Sequence, residues 1–180
     1  MTTFLWRKSP GNVSTRPPYT QSQKFLVAWT LRGYIRQLLQ ASAPYSRCHI
    51  PGPMSDEPAV CHGAEFLFPL RPAGPFNSSQ ELVAHLDKSG ECWDHTQPLV
   101  LTDCDLSVRN VIVGDDGSLW LVDWTRSAFY PPYFEYIATM GAAANDKAVH
   151  SWKKHIPIVT DRASVKELNF IGGWGPYGGG

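Results

Sequence analysis

The sequence has no apolar run approaching the roughly 20 residues that a membrane-spanning helix needs. It also lacks the pattern of a secretory leader, because its first basic residues follow a few apolar ones instead of preceding a long apolar run. Its 16 basic and 16 acidic residues cancel, so no bulk charge favours nucleic acid or an anionic membrane. These absences predict a soluble, cytoplasmic protein with no nucleic-acid or membrane partner. They leave the oligomeric state open.

Cysteine is sparse, and none of the cysteines forms a Cys-x-x-Cys pair, which argues against a zinc ribbon or a redox dithiol. In an intracellular protein such scattered thiols are expected to be reduced and structural. The four cysteines are Cys48, Cys61, Cys92 and Cys104.

The chain of 180 residues is long enough for one sizeable core, so a single main domain is expected over residues 21–170. Prolines and glycine among serines and threonines predict a flexible arm over residues 1–20. Seven prolines exclude a continuous helix over residues 43–75, which predicts an irregular insert. The glycine-rich residues 171–180 predict a frayed tail.

Hydrophobic spacing and turn residues predict the regular elements. Apolar residues at helical spacing predict a helix over residues 21–40, and a serine cap with a following glutamate predicts a short helix before Gly90. An Asp-Gly turn between two β-prone runs predicts a hairpin, since glycine supplies the positive φ that a tight turn needs. The strands are expected at residues 99–101, 111–113 and 119–122, and a further helix at residues 133–144.

Three polar residues flank the predicted hairpin. Asp105 and Asn110 lie in the loop that leads into it, and Asp123 directly follows the return strand. Because the two strands of a hairpin run antiparallel, we expect the return strand to bring Asp123 back to the end where Asn110 lies. A carboxylate near a hydroxyl and oxygen ligands for Mg²⁺ are what phosphoryl transfer requires. The spacing therefore makes these three residues the candidate site.

The same residues resemble a known family. The run Asp-Leu-Ser-Val-Arg-Asn at residues 105–110, the hairpin, Val-Asp-Trp at residues 122–124 and the aromatic run at residues 129–136 are similar to the aminoglycoside phosphotransferase and choline kinase-like family, particularly its fungal branch. Weaker likeness reaches residues 31–38 and 74–78, so that the resemblance covers roughly residues 21 to 145.

The resemblance implies an α+β fold, the C-terminal lobe of a protein-kinase-like enzyme, mainly helical with a small β-hairpin at the catalytic cleft. It implies ATP and Mg²⁺ as cofactors and a small-molecule hydroxyl as the phosphoryl acceptor. Asp105 would be the catalytic base, Asn110 a magnesium ligand and Asp123 the second, bridging magnesium ligand.

Two departures from the family pattern change what is expected of this chain. Asp103 stands where the family usually has a histidine that braces the loop, and like charges two residues apart would raise one pKa and weaken the base. No phosphate-covering glycine-rich turn and no strand lysine precede the first predicted helix, so the resemblance is expected to cover the C-terminal lobe without an N-terminal lobe. We therefore expect a truncated relative with weak or absent phosphotransfer.

Two alternative functions stay open. Asp103 and Asp105 also resemble the Asp-x-Asp nucleophile motif of haloacid-dehalogenase-like phosphatases, which needs a parallel sheet with helical crossovers. A non-catalytic interaction module with a kinase-like C-lobe is the other alternative. Arg109 could contact either a phosphate or a neighbouring carboxylate. Glu135 has no clear role. Core packing is expected for most of a set of five aromatic residues, namely Trp124, Tyr130, Tyr133, Phe134 and Tyr136.

Overall fold

The structure is a computed structural model that describes residues 19–42, 50–55, 57–61, 68, 72–86, 95–114, 116–145 and 150–161. The predicted tail and all but the last two residues of the predicted arm lie outside these residues. So does part of the predicted insert. No helix among the described residues is long and apolar enough to cross a membrane.

The fold is mixed α and β, with short antiparallel sheets among helices, which agrees with the predicted α+β class. In chain order its elements are α1 (Gln21–Ser42), β1 (Gly52–Pro53), α2 (Ser79–Leu86), β2 (Val100–Thr102), a 3₁₀ turn (Val108–Asn110), β3 (Val111–Val113), β4 (Leu119–Leu121), β5 (Ala128–Tyr130), α3 (Tyr133–Asn145), α4 (His150–Lys153) and α5 (Ile156–Val159).

The first helix, α1, begins at a capping box and ends at a tertiary contact. The backbone N–H of Thr20 donates to Gln23 Oε1 at 2.9 Å, and the N–H of Gln23 donates to Thr20 Oγ1 at 3.2 Å. At the other end, Ser42 Oγ accepts the N–H of Leu101 at 2.9 Å. The helix is therefore fixed at its C-terminal end to β2, the strand that leads into the candidate site.

The predicted short helix is α2, and its cap has the expected chemistry. Ser78 Oγ accepts the N–H of Glu81 at 3.2 Å, while the Glu81 carboxylate accepts the N–H of Asn77 at 2.8 Å. The predicted third helix is confirmed as α3.

Two sheets hold the site. In the three-stranded sheet the order is β1-β5-β2, and β5 pairs antiparallel with both neighbours. Phe129 of β5 lies opposite Gly52 of β1 on one side and opposite Leu101 of β2 on the other. The two-stranded sheet is the predicted hairpin of β3 and β4, with Val111 opposite Leu121 and Val113 opposite Leu119. Among the described residues of the predicted insert, regular pairing is limited to β1 and an isolated bridge between Cys61 and Ala73.

The apolar core has two main parts, and the loop after β2 lies between them. One part contains β5, α2 and α3, with Leu82, Phe134 and Ile137 fully buried. The other part joins α1, the hairpin and α5 through the fully buried residues Leu31, Val111 and Ile156.

Of the aromatic residues expected in the core, four are buried and one is exposed. The buried ones are Tyr130, Tyr133, Phe134 and Tyr136, and the exposed one is Trp124. The two described cysteines, Cys61 and Cys104, are buried and free, as predicted.

Candidate functional site

The loop from residue 103 to residue 110 is held from both sides by its apolar side chains. Cys104 packs into the core part of α2 and α3, whereas Leu106 and Val108 pack into the part formed by α1 and α5. Because successive side chains enter different parts of the core, the backbone of this loop has little freedom to shift. Asp105 lies between these anchors, so its position follows from the packing of its neighbours.

The hairpin brings Asn110 and Asp123 to one end, as its antiparallel geometry predicts. Asn110 directly precedes β3, and its carbonyl oxygen accepts the N–H of Val122 at 2.9 Å. Asp123 directly follows Val122 in the chain. The register thus places the two predicted metal-ligating residues on adjacent strand ends.

Asp105 and Asn110 are also joined directly. Asn110 Nδ2 donates to the backbone oxygen of Asp105 at 2.9 Å and to its Oδ2 at 3.1 Å. The backbone carbonyl oxygen of Asp105 can only accept a hydrogen bond, so the amide nitrogen of Asn110 must face Asp105. The amide oxygen of Asn110 is thereby turned away from Asp105 and can serve as a ligand for a hard cation.

Arginine covers the other oxygen of Asp105. Arg109 Nη2 lies 2.6 Å from Asp105 Oδ1, and Arg126 Nε lies 4.0 Å from Asp105 Oδ2. The Asp105 side chain is only 5% exposed, whereas that of Arg109 is 50% exposed. Sequence analysis left two partners open for Arg109, a phosphate or a neighbouring carboxylate. In the structure Arg109 contacts the carboxylate of Asp105. Asp105 is therefore shielded from solvent by the side chain that neutralises it.

Asp123 has the opposite environment, since it is exposed to solvent. Its Oδ1 accepts the Thr125 hydroxyl at 2.6 Å. This hydrogen bond, together with the nearby charges of Arg109 and Arg126, lowers the pKa of Asp123. An ionised, accessible carboxylate is what a magnesium ligand must be.

Backbone strain is concentrated in this region. Cys104 and Asp123 have φ angles of +59° and +67°, in the left-handed region that residues other than glycine seldom adopt. Such a conformation costs on the order of 1 kcal/mol or more, and it persists where the surrounding structure enforces it. Both residues adjoin predicted site residues or belong to them, which is typical of a loop whose side-chain directions matter.

Asp103, at the start of the loop, is fully buried. Neither of its carboxyl oxygens has a hydrogen-bond partner among the described residues. Burial, followed by the charges of Glu135, Asp105 and Asp123, raises the pKa of Asp103 to about 8. Sequence analysis expected a raised pKa at one of the two neighbouring carboxyl groups, Asp103 or Asp105. The raised pKa is that of Asp103, and burial is its largest cause. At neutral pH a protonated Asp103 adds no second negative charge beside Asp105.

The loop is braced by Glu135, which sequence analysis left without a role. The N–H of Asp103 donates to Glu135 Oε2 at 2.6 Å, and Glu135 is almost fully buried on α3. Burial raises the pKa of Glu135 to about 7, against the lowering effect of the backbone N–H groups of Asp103 and Cys104. The sequence signal that could have found it is a lone acidic residue in the first turn of an otherwise apolar helix.

Arg126 is the second residue of the site that sequence analysis missed. Its only signal is that it follows Asp123 by three positions, in the turn that precedes β5. No pattern in the sequence indicates that this turn points its arginine toward Asp105.

The part of the chain that the structure describes offers few ligands for a metal ion by itself. Among the described residues, no group of three or more histidine, cysteine, aspartate or glutamate side chains is arranged to hold one. The donor set of Asn110 and Asp123 nevertheless fits Mg²⁺ bound with a nucleotide, because that ion commonly uses one or two protein oxygens together with phosphate and water.

Comparisons of the chain with protein-family models, curated proteins and solved structures find no match. The roles predicted for Asp105, Asn110 and Asp123 therefore rest on the sequence motif and on the geometry described above.

Proposed function

We propose that this chain carries the acceptor and metal half of an ATP- and Mg²⁺-dependent phosphotransferase site of the aminoglycoside phosphotransferase-like kind. The substrate would be a small molecule with a hydroxyl group. The observation that supports the proposal best is the hairpin register, which brings Asn110 and Asp123 together beside the hydrogen-bonded Asp105.

Each residue has one role in the proposal. Asp105 orients the acceptor hydroxyl and takes its proton as the hydroxyl oxygen attacks phosphorus. Asn110, through its amide oxygen, and Asp123, through its carboxylate, would hold the magnesium ion. When bound, magnesium and ATP supply the transferred phosphoryl group and the positive charge that offsets its developing negative charge.

The geometry also argues that the chain alone turns over weakly or not at all. Both carboxylate oxygens of Asp105 are engaged, one by Arg109 and one by Asn110, and the side chain is nearly inaccessible. An acceptor hydroxyl must replace one of these partners before Asp105 can act as a base. Robust turnover by this chain that depends on Asp105 would contradict this expectation.

The experiment that tests the proposal is calorimetric titration of the chain with ATP in the presence of Mg²⁺. We expect binding that requires the metal and that is reduced at least tenfold in Asp123→Asn, since one of two protein ligands is lost. Asparagine is the appropriate replacement because it tolerates the positive φ at this position, so the backbone is preserved.

Asp161→Asn is the matched control. Asp161 is also exposed and also has a positive φ, +60°, but it lies at the end of α5, where it pairs with Arg32 and Arg36. Metal-dependent binding that survives this change and is lost in Asp123→Asn supports the proposal. Equal loss in both variants, or no binding by the folded chain, overturns it.

A non-catalytic interaction module is the second candidate, and one observation favours it. Three large apolar side chains of α1 are at least half exposed, namely Phe25, Leu26 and Trp29 at 50%, 64% and 53%. Clustered exposed apolar side chains are typical of interaction surfaces. A folded chain that binds no Mg²⁺ and ATP would favour this function.

The phosphatase alternative has less support. Its nucleophile would be Asp103, whose carboxyl group is fully buried, and its strand would belong to a parallel sheet. The strand before Asp103, β2, pairs antiparallel with β5.

A further inference from the structure

We propose that Arg109, assisted by Arg126, is the phosphate-binding element of this site, and that Asp105 is its resting counter-ion. The inference rests on the proposed function and deepens it, because it names the groups that receive the phosphoryl anion. The ligand chemistry is a phosphate oxygen, supplied either by the polyphosphate chain of a nucleotide or by a phosphate monoester.

Arg109 contacts Asp105 Oδ1 through Nη2 at 2.6 Å, yet half of its side chain is exposed. A guanidinium group has five N–H donors in a fixed fork, so the donors that do not contact the carboxylate can make the first contact with a second anion. Arg109 therefore connects the buried Asp105 to the open side of the site.

Two arginines also lie beside Asp105. Arg109 Nη2 is 2.6 Å from Asp105 Oδ1, and Arg126 Nε is 4.0 Å from Asp105 Oδ2. Two cations thus approach the two oxygens of one carboxylate. A phosphate oxygen that enters this region meets two guanidinium groups, which are the side chains best suited to bind phosphate in a bidentate manner.

The Arg109–Asp105 pair also determines when Asp105 becomes available. With Arg109 on Oδ1 the carboxylate is covered, and a hydroxyl cannot reach that oxygen. A phosphate that attracts the guanidinium group loosens this contact and frees Oδ1 for the acceptor. Binding of the phosphoryl donor would then uncover the base, and the Arg109–Asp105 pair couples the two events.

The test uses inorganic pyrophosphate in the presence of EDTA, so that it depends neither on Mg²⁺ nor on the metal ligands. Calorimetry should show binding to the unmodified chain, weakened about tenfold or more in Arg109→Gln and less in Arg126→Gln. Arg36→Gln is the matched control, since Arg36 is also a half-exposed arginine paired with an aspartate, at the remote Asp161. It should leave the affinity unchanged.

Asp105→Asn should have the opposite effect on pyrophosphate affinity. It therefore distinguishes a role of the Arg109–Asp105 pair in anion binding from a purely structural role. If Asp105 competes for Arg109, removal of its charge should tighten pyrophosphate binding severalfold. If the pair only stabilises the loop, Arg109→Gln and Asp105→Asn should both lower the melting temperature and neither should alter pyrophosphate affinity. That result, or an absence of pyrophosphate binding by the folded chain, overturns the proposal.

A parallel titration with glycerol 3-phosphate distinguishes the two sources of the anion. Tighter binding of pyrophosphate assigns the site to a nucleotide polyphosphate, and tighter binding of glycerol 3-phosphate assigns it to a phosphate monoester; Arg109 dependence of either supports the proposal. Because EDTA is present, Arg109-dependent binding can be found even if Mg²⁺ and ATP fail to bind. The failure of this inference and the failure of the proposed function are thus distinguishable.

Discussion

Asp103 places a carboxyl group in a fully buried position where the described residues give its oxygens no hydrogen bond. A buried carboxylate without a partner is costly, and the group avoids that cost by remaining protonated. Beside it, Glu135 accepts the N–H of the same residue. The site therefore rests on two buried acids, one of them largely neutral.

The pKa of Asp103 predicts how stability changes with pH. Its value is raised from 3.8 to about 8, so the folded state binds more protons than the unfolded chain between these values. The free energy of unfolding should therefore fall as the pH rises through this range. In Asp103→Asn the decline should be shallower, by up to about 1.4 kcal/mol per pH unit at its steepest. Urea unfolding at several pH values between 5 and about 8 measures this.

Asp116→Asn serves as the control for Asp103→Asn. Asp116 is exposed, and its hydrogen bonds with Ser118 lower its pKa from 3.8, so its contribution changes only at more acidic pH. If the free energy of unfolding fell equally with pH in Asp103→Asn and in the unmodified chain, Asp103 would ionise in the folded protein without a loss of stability.

At the residue scale the sequence was informative where position along the chain decides proximity. Asn110 and Asp123 could be placed together because a hairpin has one geometry at its open end. Glu135, which braces the loop, and Arg126, the second arginine near Asp105, could not be found in this way. Glu135 lies on α3 and reaches the loop only through tertiary packing, and Arg126 is directed by a turn whose conformation the sequence does not specify.

Among the elements, the hairpin of β3 and β4 determines the distance between the loop and Asp123. Its turn depends on Gly117, which has a φ angle of +85°. A Cβ added at Gly117 would meet no atom within 4 Å, so the effect of a substitution there depends on the backbone conformation and not on a steric clash.

Gly117→Ala should therefore destabilise the protein by about 1 kcal/mol, because alanine is penalised at positive φ. Gly117→Asn should cost less, since asparagine tolerates that region. Urea unfolding of the two variants gives the comparison. Equal stability of the alanine and asparagine variants would show that the turn has changed its conformation.

Elements with strong local signals were predicted, whereas the short strands β1 and β5 were not. The helices α1 and α2 have capping residues and regular apolar spacing, and the hairpin has its Asp-Gly turn. Strand β5 is buried at every position, so it shows no alternation of apolar and polar residues. Strand β1 has two residues and exists through its pairing with β5. Only the tertiary fold determines such strands.

At the scale of the molecule, α5 packs against α1, so that distant parts of the chain form one core with the hairpin. Two kinds of contact contribute here. Ile156 is fully buried, while the ion pairs of Asp161 with Arg32 and Arg36 are exposed.

Packing should matter more than charge at this contact. Ile156→Ala should lower the free energy of unfolding by about 2 to 5 kcal/mol, as expected for a large buried side chain that leaves a cavity. Asp161→Asn should cost about 1 kcal/mol or less, and the cost should decrease with added salt. Urea unfolding at two salt concentrations tests both. A larger effect of Asp161→Asn than of Ile156→Ala would reverse this order.

The left-handed backbone at Asp123 has a consequence for how the sequence can change over generations. Asparagine and glycine both tolerate a φ of +67°, and the codons of both differ from those of aspartate by a single base. The fold alone therefore does not require a carboxylate at this position. A lineage released from selection on the site could exchange Asp123 in one mutational step and still fold.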